Sequence, residues 1–66
     1  MKNALTGTII TAEAFAALED AYTKASDAYD RPGVSYKGPE RDAFQAARRA
    51  FNLYSCTAEE FDLIWG

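Results

Sequence analysis

Apolar and polar positions alternate along this chain with the period of a helix over most of its length. From Ala12 onward Phe15, Leu18, Tyr22, Ala25 and Tyr29 recur at spacings of three and four, which places them on one stripe and predicts a first helix from Ala12 to about Tyr29. Thr11 is a good N-cap for it, Glu13 in its first turn favours the positive end of the dipole, and Ile10 is spaced to staple onto Phe15. Arg31-Pro32-Gly33 ends the pattern, because proline restricts the residue before it and Pro-Gly suits a tight turn.

A second period begins at Gly38-Pro39, with proline at the first helical position, and runs to about Tyr54. Phe44, Ala47, Phe51 and Tyr54 fall on one stripe of this central helix, and Arg41, Arg48, Gln45 and Asn52 on another. Ser55-Cys56-Thr57 interrupts it. Thr57 with Glu60 is a capping box and Cys56 with Phe61 a staple spacing, so a short third helix follows from Ala58 to about Ile64, with Phe61, Ile64 and Trp65 turned inward. Thr11-Ala12-Glu13-Ala14-Phe15 and Thr57-Ala58-Glu59-Glu60-Phe61 echo one another, and the shared chemistry of cap, dipole partner and staple explains this without duplication.

The remaining segments are short. Thr6-Gly7-Thr8-Ile9-Ile10 is β-branched and interrupted by glycine, which predicts an extended N-terminal arm, and Val34-Ser35-Tyr36 can pair with Thr8-Ile9-Ile10 as a two-stranded β patch. The expected fold is therefore mainly α: one small three-helix domain over residues 1–66, with short connections that favour adjacent packing.

Composition narrows the class further. In 66 residues there is room for one small core, and one Trp, four Tyr and four Phe are ample material for it. The tyrosines, though a type favoured at interfaces, are expected mostly in the core or at its edge. Cys56 is the only cysteine, so neither an intramolecular disulfide nor a multi-cysteine zinc site is available, and a reducing cytoplasm fits best. No apolar run has the length of a membrane span or the layout of a signal peptide.

Chemistry is sparse. Histidine is absent, which removes the commonest general base and metal ligand, and Cys56 without a neighbouring base reads as a buried staple residue. Glu19-Asp20 falls on a solvated helix face, and Glu59-Glu60 in an N-terminal turn where acids are favoured whatever the function. No phosphate-binding glycine loop, Cys-x-x-Cys or calcium loop occurs. The expectation is a protein that is not an enzyme and needs no cofactor or metal.

Charge carries more information. The net charge is −3, but residues 1–30 carry Lys2 and Lys24 against Glu13, Glu19, Asp20, Asp27 and Asp30; residues 31–56 carry Arg31, Lys37, Arg41, Arg48 and Arg49 against Glu40 and Asp42; and the tail adds Glu59, Glu60 and Asp62. The plain reading is that oppositely charged helices neutralise one another, with Asp20 and Lys24 paired along one helix and Arg49 near Asp42 on the other.

A second reading concerns partners. Glu13, Asp20 and Asp27 line up at seven-residue intervals with Glu19 and Asp30 beside them, over about a third of the helix circumference. Such a row can imitate a phosphate backbone and enter a groove made for nucleic acid. In its size, acidity, lack of histidine and that acidic face, the chain resembles the small accessory proteins of phages and mobile elements, including anti-CRISPR inhibitors. The resemblance implies a cytoplasmic inhibitor in a bacterial host, binding a host protein such as a CRISPR effector subunit and blocking access of target DNA, with Glu13, Glu19, Asp20, Asp27 and Asp30 as the contact residues. The alternatives are a small DNA-binding regulator reading DNA through Arg41, Arg48 and Arg49, disfavoured by the net acidity, and a structural adaptor or oligomer subunit using exposed tyrosines.

Overall fold

The computed structural model describes residues 1–33 and 38–66. It is a small mainly α domain of three helices, α1 (Ala12–Tyr29), α2 (Pro39–Ser55) and α3 (Ala58–Trp65). The predicted starts coincide with the observed ones, and α2 and α3 each run one residue beyond the expected end. The suggested pairing of Thr8-Ile9-Ile10 with Val34-Ser35-Tyr36 lies outside the described residues.

Local chemistry sets these boundaries. The Thr11 hydroxyl accepts from the Ala14 backbone N–H at 3.1 Å and so satisfies one of the four orphan donors at the start of α1. α2 begins with proline at its first position and no side-chain cap. The capping box of α3 is complete: Glu60 N–H donates to Thr57 Oγ1 at 3.2 Å, and Thr57 N–H donates to Glu60 Oε1 at 3.0 Å. Glu60 is held below the usual carboxylate range, first by the Thr57 backbone N–H and then by the Thr57 hydroxyl.

Residues 1–10 do not extend as an arm. Asn3 is buried, its Oδ1 accepts the backbone N–H groups of Leu5 (2.9 Å) and Thr6 (3.0 Å), and Gly7 takes φ 75° to close the turn. The segment doubles back, with Asn3 N–H donating to Thr8 C=O at 2.8 Å and a single antiparallel bridge between Lys2 and Ile9. β-branched residues favour extended backbone, but here an asparagine side chain offering two acceptances to the next peptide groups wins locally. Ala4 N–H donates to Leu53 C=O at 2.6 Å, fastening the loop to the last turn of α2 and satisfying a carbonyl that the helix itself leaves open.

α1 and α2 are joined by a ladder of rings. Phe15 stacks on Phe51 with centroids 5.2 Å apart, Tyr22 lies between Phe51 (5.4 Å) and Phe44 (5.7 Å), and Tyr29 stacks on Phe44 (5.2 Å). Low residue numbers on one helix meet high numbers on the other, so the helices run antiparallel. Both offer rings every seven residues, and the two series interleave. Each such pair contributes roughly 0.5–1.5 kcal/mol beyond the area it buries.

Burial is shallow despite this. Phe61 of α3, at 4% exposure, is the buried hydrophobic side chain among the described residues, while the ladder rings are only half-buried and α1 has no buried residue. The expectation that the aromatics would close a core of their own is therefore met only in part.

The ladder divides the hairpin into two sides. At about 100° per residue, Ala14, Ala21, Ala25 and Ala28 sit about 60–120° to one side of the α1 rings, and Ala43, Ala47, Ala50 and Tyr54 about 50–110° to one side of the α2 rings. A right-handed helix seen end-on turns clockwise as it recedes and anticlockwise as it approaches. In an antiparallel pair with facing rings, these two sets therefore share one side. The acids of α1 and the arginines of α2 lie towards the other.

Candidate functional site: the charged side of the hairpin

All five carboxylates expected on the first helix face solvent: Glu13, Glu19, Asp20, Asp27 and Asp30 are exposed. Asp30 is the C-cap residue of α1, where its backbone N–H donates to Ser26 C=O at 2.9 Å. Lys24 Nζ pairs with Asp20 Oδ2 at 2.8 Å, one turn apart and both well exposed. Its ammonium is held above its ordinary value by that hydrogen bond and then by the charge of Asp20. The expected Asp20–Lys24 pair is thus present, and Glu13, Glu19, Asp27 and Asp30 form no ion pair among the described residues.

The arginines of α2 take another course. Arg48 is half-buried with its guanidinium 5.5 Å from the centre of the Trp65 ring, and Arg49 lies 5.4 Å over Phe61. Both are cation–π contacts, worth roughly 0.5–1 kcal/mol each at partly exposed sites. They seat α3 on the polar side of α2. Arg41 stays exposed, so of the three arginines considered for DNA, two are engaged with α3.

No ion pair joins α1 to α2 among the described residues, and Arg49 meets a ring rather than Asp42. A guanidinium is weakly hydrated and flat, so a nearby ring competes well with an exposed carboxylate across water.

Three further expectations change. Asn52, assigned to a solvated polar stripe, is buried at 8% exposure on the side where α3 docks, with the Ser55 hydroxyl 3.5 Å from its Oδ1. Ile64, expected inward, is 48% exposed, because α3 turns Phe61 and Trp65 to the arginines and leaves Ile64 at the margin. Cys56, expected as a buried staple, is half-buried; with Lys2, Asn3, Ala4, Tyr54, Ser55, Thr57 and Ala58 it lines an open cavity of about 460 Å³ under the N-terminal loop.

Sequence reasoning identified the acids and arginines but missed Asn3, whose turn-forming role could have been read from Asn3 and Gly7 bracketing three residues. Among the described residues, no group of three His, Cys, Asp or Glu side chains is placed to hold a metal ion, and no helix is long and apolar enough to cross a membrane. The site is thus a charged surface: one helix edge of solvated carboxylates beside a helix whose arginines are largely occupied. No protein-family model, curated protein or solved structure matches the chain.

Proposed function

We propose that this chain is a non-enzymatic, protein-binding inhibitor, similar in character to the anti-CRISPR proteins of phages. The acidic edge of α1 docks on a nucleic-acid-binding surface of a host defence protein, a CRISPR effector subunit being the leading candidate, and so keeps DNA from it. A bacterial cytoplasm is the matching compartment.

The observation that supports this reading best is that Glu13, Glu19, Asp20, Asp27 and Asp30 are all exposed on one edge, with α3 packed elsewhere, on α2. Charge on a solvated helix edge contributes little to folding, so its concentration there is free to serve association. Rows of like charge raise association rates with oppositely charged grooves and do so less as salt rises.

The experiment is capture of partners from a bacterial lysate by the tagged chain, identified by mass spectrometry, against the double variant Asp20→Lys, Asp27→Lys. A nucleic-acid-binding protein retained by the wild type, displaced by duplex DNA and lost with the variant supports the reading. Equal capture by both chains would remove it.

A further inference from the structure

The seam between α2 and α3 is rich in hydrogen-bond donors and short of acceptors. Arg48, Arg49 and Asn52 are neighbours on α2, since positions three and four apart share a helix face. Trp65 and Phe61 cover the two guanidiniums and stack on each other with centroids 6.3 Å apart. The N–H groups of a guanidinium lie in its own plane, so a ring over its face uses none of them. Among the described residues, no carboxylate, carbonyl or hydroxyl accepts from Arg48 or Arg49. Asn52 is 8% exposed, its Oδ1 faces the Ser55 hydroxyl, and its amide NH2 has no acceptor among the described residues. The Trp65 indole N–H is buried and equally without one.

We infer that this seam binds a doubly charged phosphate group, free or carried on a small monoester. Buried donors without partners cost free energy, and several of them at one place are explained by an acceptor that comes from outside the chain. Arg48 and Arg49 supply two positive charges in a chain of net charge −3, and no carboxylate pairs with either among the described residues. That charge matches a dianion. The guanidinium fork fits two phosphate oxygens, and the Asn52 amide and the indole N–H are further donors for the rest. A carboxylate brings one charge and two oxygens, which leaves part of the donor set unused.

Nearby acids do not already fill this role. Glu60 is spent on the capping box, Glu59 and Asp62 are exposed and form no ion pair among the described residues, and the N-terminal loop has no acidic residue. Arg48 is half-buried and Asn52 more so, which suits a group the size of a phosphate better than the rigid backbone of a duplex. The inference stands apart from the proposed inhibitor role, because it uses the α2–α3 seam and not the acidic edge of α1.

The test is proton–nitrogen NMR of the full chain in a phosphate-free chloride buffer slightly above neutral pH, where a phosphate monoester carries both charges. Trp65 is the one tryptophan, so the indole N–H gives a single resonance. Inorganic phosphate and glycerol phosphate, titrated separately, are expected to move that resonance downfield to saturation, and chloride at equal ionic strength is not. The tighter of the two ligands tells whether free phosphate or a monoester is the better source. Arg48→Gln is expected to weaken binding about tenfold, and Lys24→Gln on α1 to leave it unchanged. An indole resonance that stays still, that moves as far with chloride, or that responds as strongly in Arg48→Gln would overturn the inference. So would duplex DNA that binds more tightly than the monoester and depends on Arg41, since the arginines would then form a nucleic-acid face. The wild-type titration decides this even where a variant fails to fold.

Discussion

The two sides of the α1–α2 hairpin are built from the same two helices and have opposite fates. One side has carboxylates on α1 and arginines on α2, and the chain covers part of it with α3. The other has rings and alanines, and α3 does not pack on it. Amphipathicity alone would have placed α3 on the apolar side. Instead Phe61 and Trp65 pack on Arg49 and Arg48, whose stems are apolar and whose flat ends accept a ring. The lesson is that a polar stripe containing arginine can serve as a docking surface for aromatics.

Breaking the ladder gives the largest effect. Phe51 touches both Phe15 and Tyr22, so Phe51→Ala is expected to destabilise the chain by roughly 2–4 kcal/mol, less than a fully buried phenylalanine because the ring is only half-buried. Urea denaturation followed by circular dichroism measures this, and an unchanged midpoint would mean that the hairpin is held by something other than its rings.

Thr57→Ala removes the hydroxyl half of the capping box and is expected to cost about 1 kcal/mol. The loss should fall on α3, so the tryptophan signal should melt earlier than the ladder if the two sides of the hairpin are as separate as they look. Loss of both signals in one transition, at whatever midpoint, would contradict that separation.

Acid sharpens the same comparison more gently. The folded value of Glu60 lies below its unfolded one, so its contribution is fully present above the unfolded carboxylate range and is lost as pH falls through the folded value. In Glu60→Gln that part of the pH dependence should disappear, as thermal melts between neutral and acidic pH would reveal. The smallest effect belongs to the Lys24–Asp20 pair: both groups are exposed, and Lys24→Ala is expected to leave the unfolding midpoint unmoved, while a clear drop would show the charged edge to be structural.

How far the sequence could be read follows from what each signal depends on. Helix starts were legible because Thr11, Pro39 and Thr57 act on their immediate neighbours, and a cap works in any tertiary setting. The exposure of Glu13, Glu19, Asp20, Asp27 and Asp30 followed from period alone. Asn52, Ile64 and the arginines were misplaced because a helical period tells which residues share a face but not which neighbour covers it. The N-terminal loop was misread because Asn3 competes for backbone donors in a way that β-propensity does not register.

Trp65 is the chain's one tryptophan, and its indole N–H is buried with no acceptor among the described residues, while Arg48 lies over the ring. An indole in that setting emits as a chromophore partly shielded from water. The molecule therefore carries an intrinsic optical reporter at one place, the seat of α3. Emission should shift to the red when α3 lifts from Arg48, whether or not the aromatic ladder has opened, so fluorescence and circular dichroism together time the two events separately without any label.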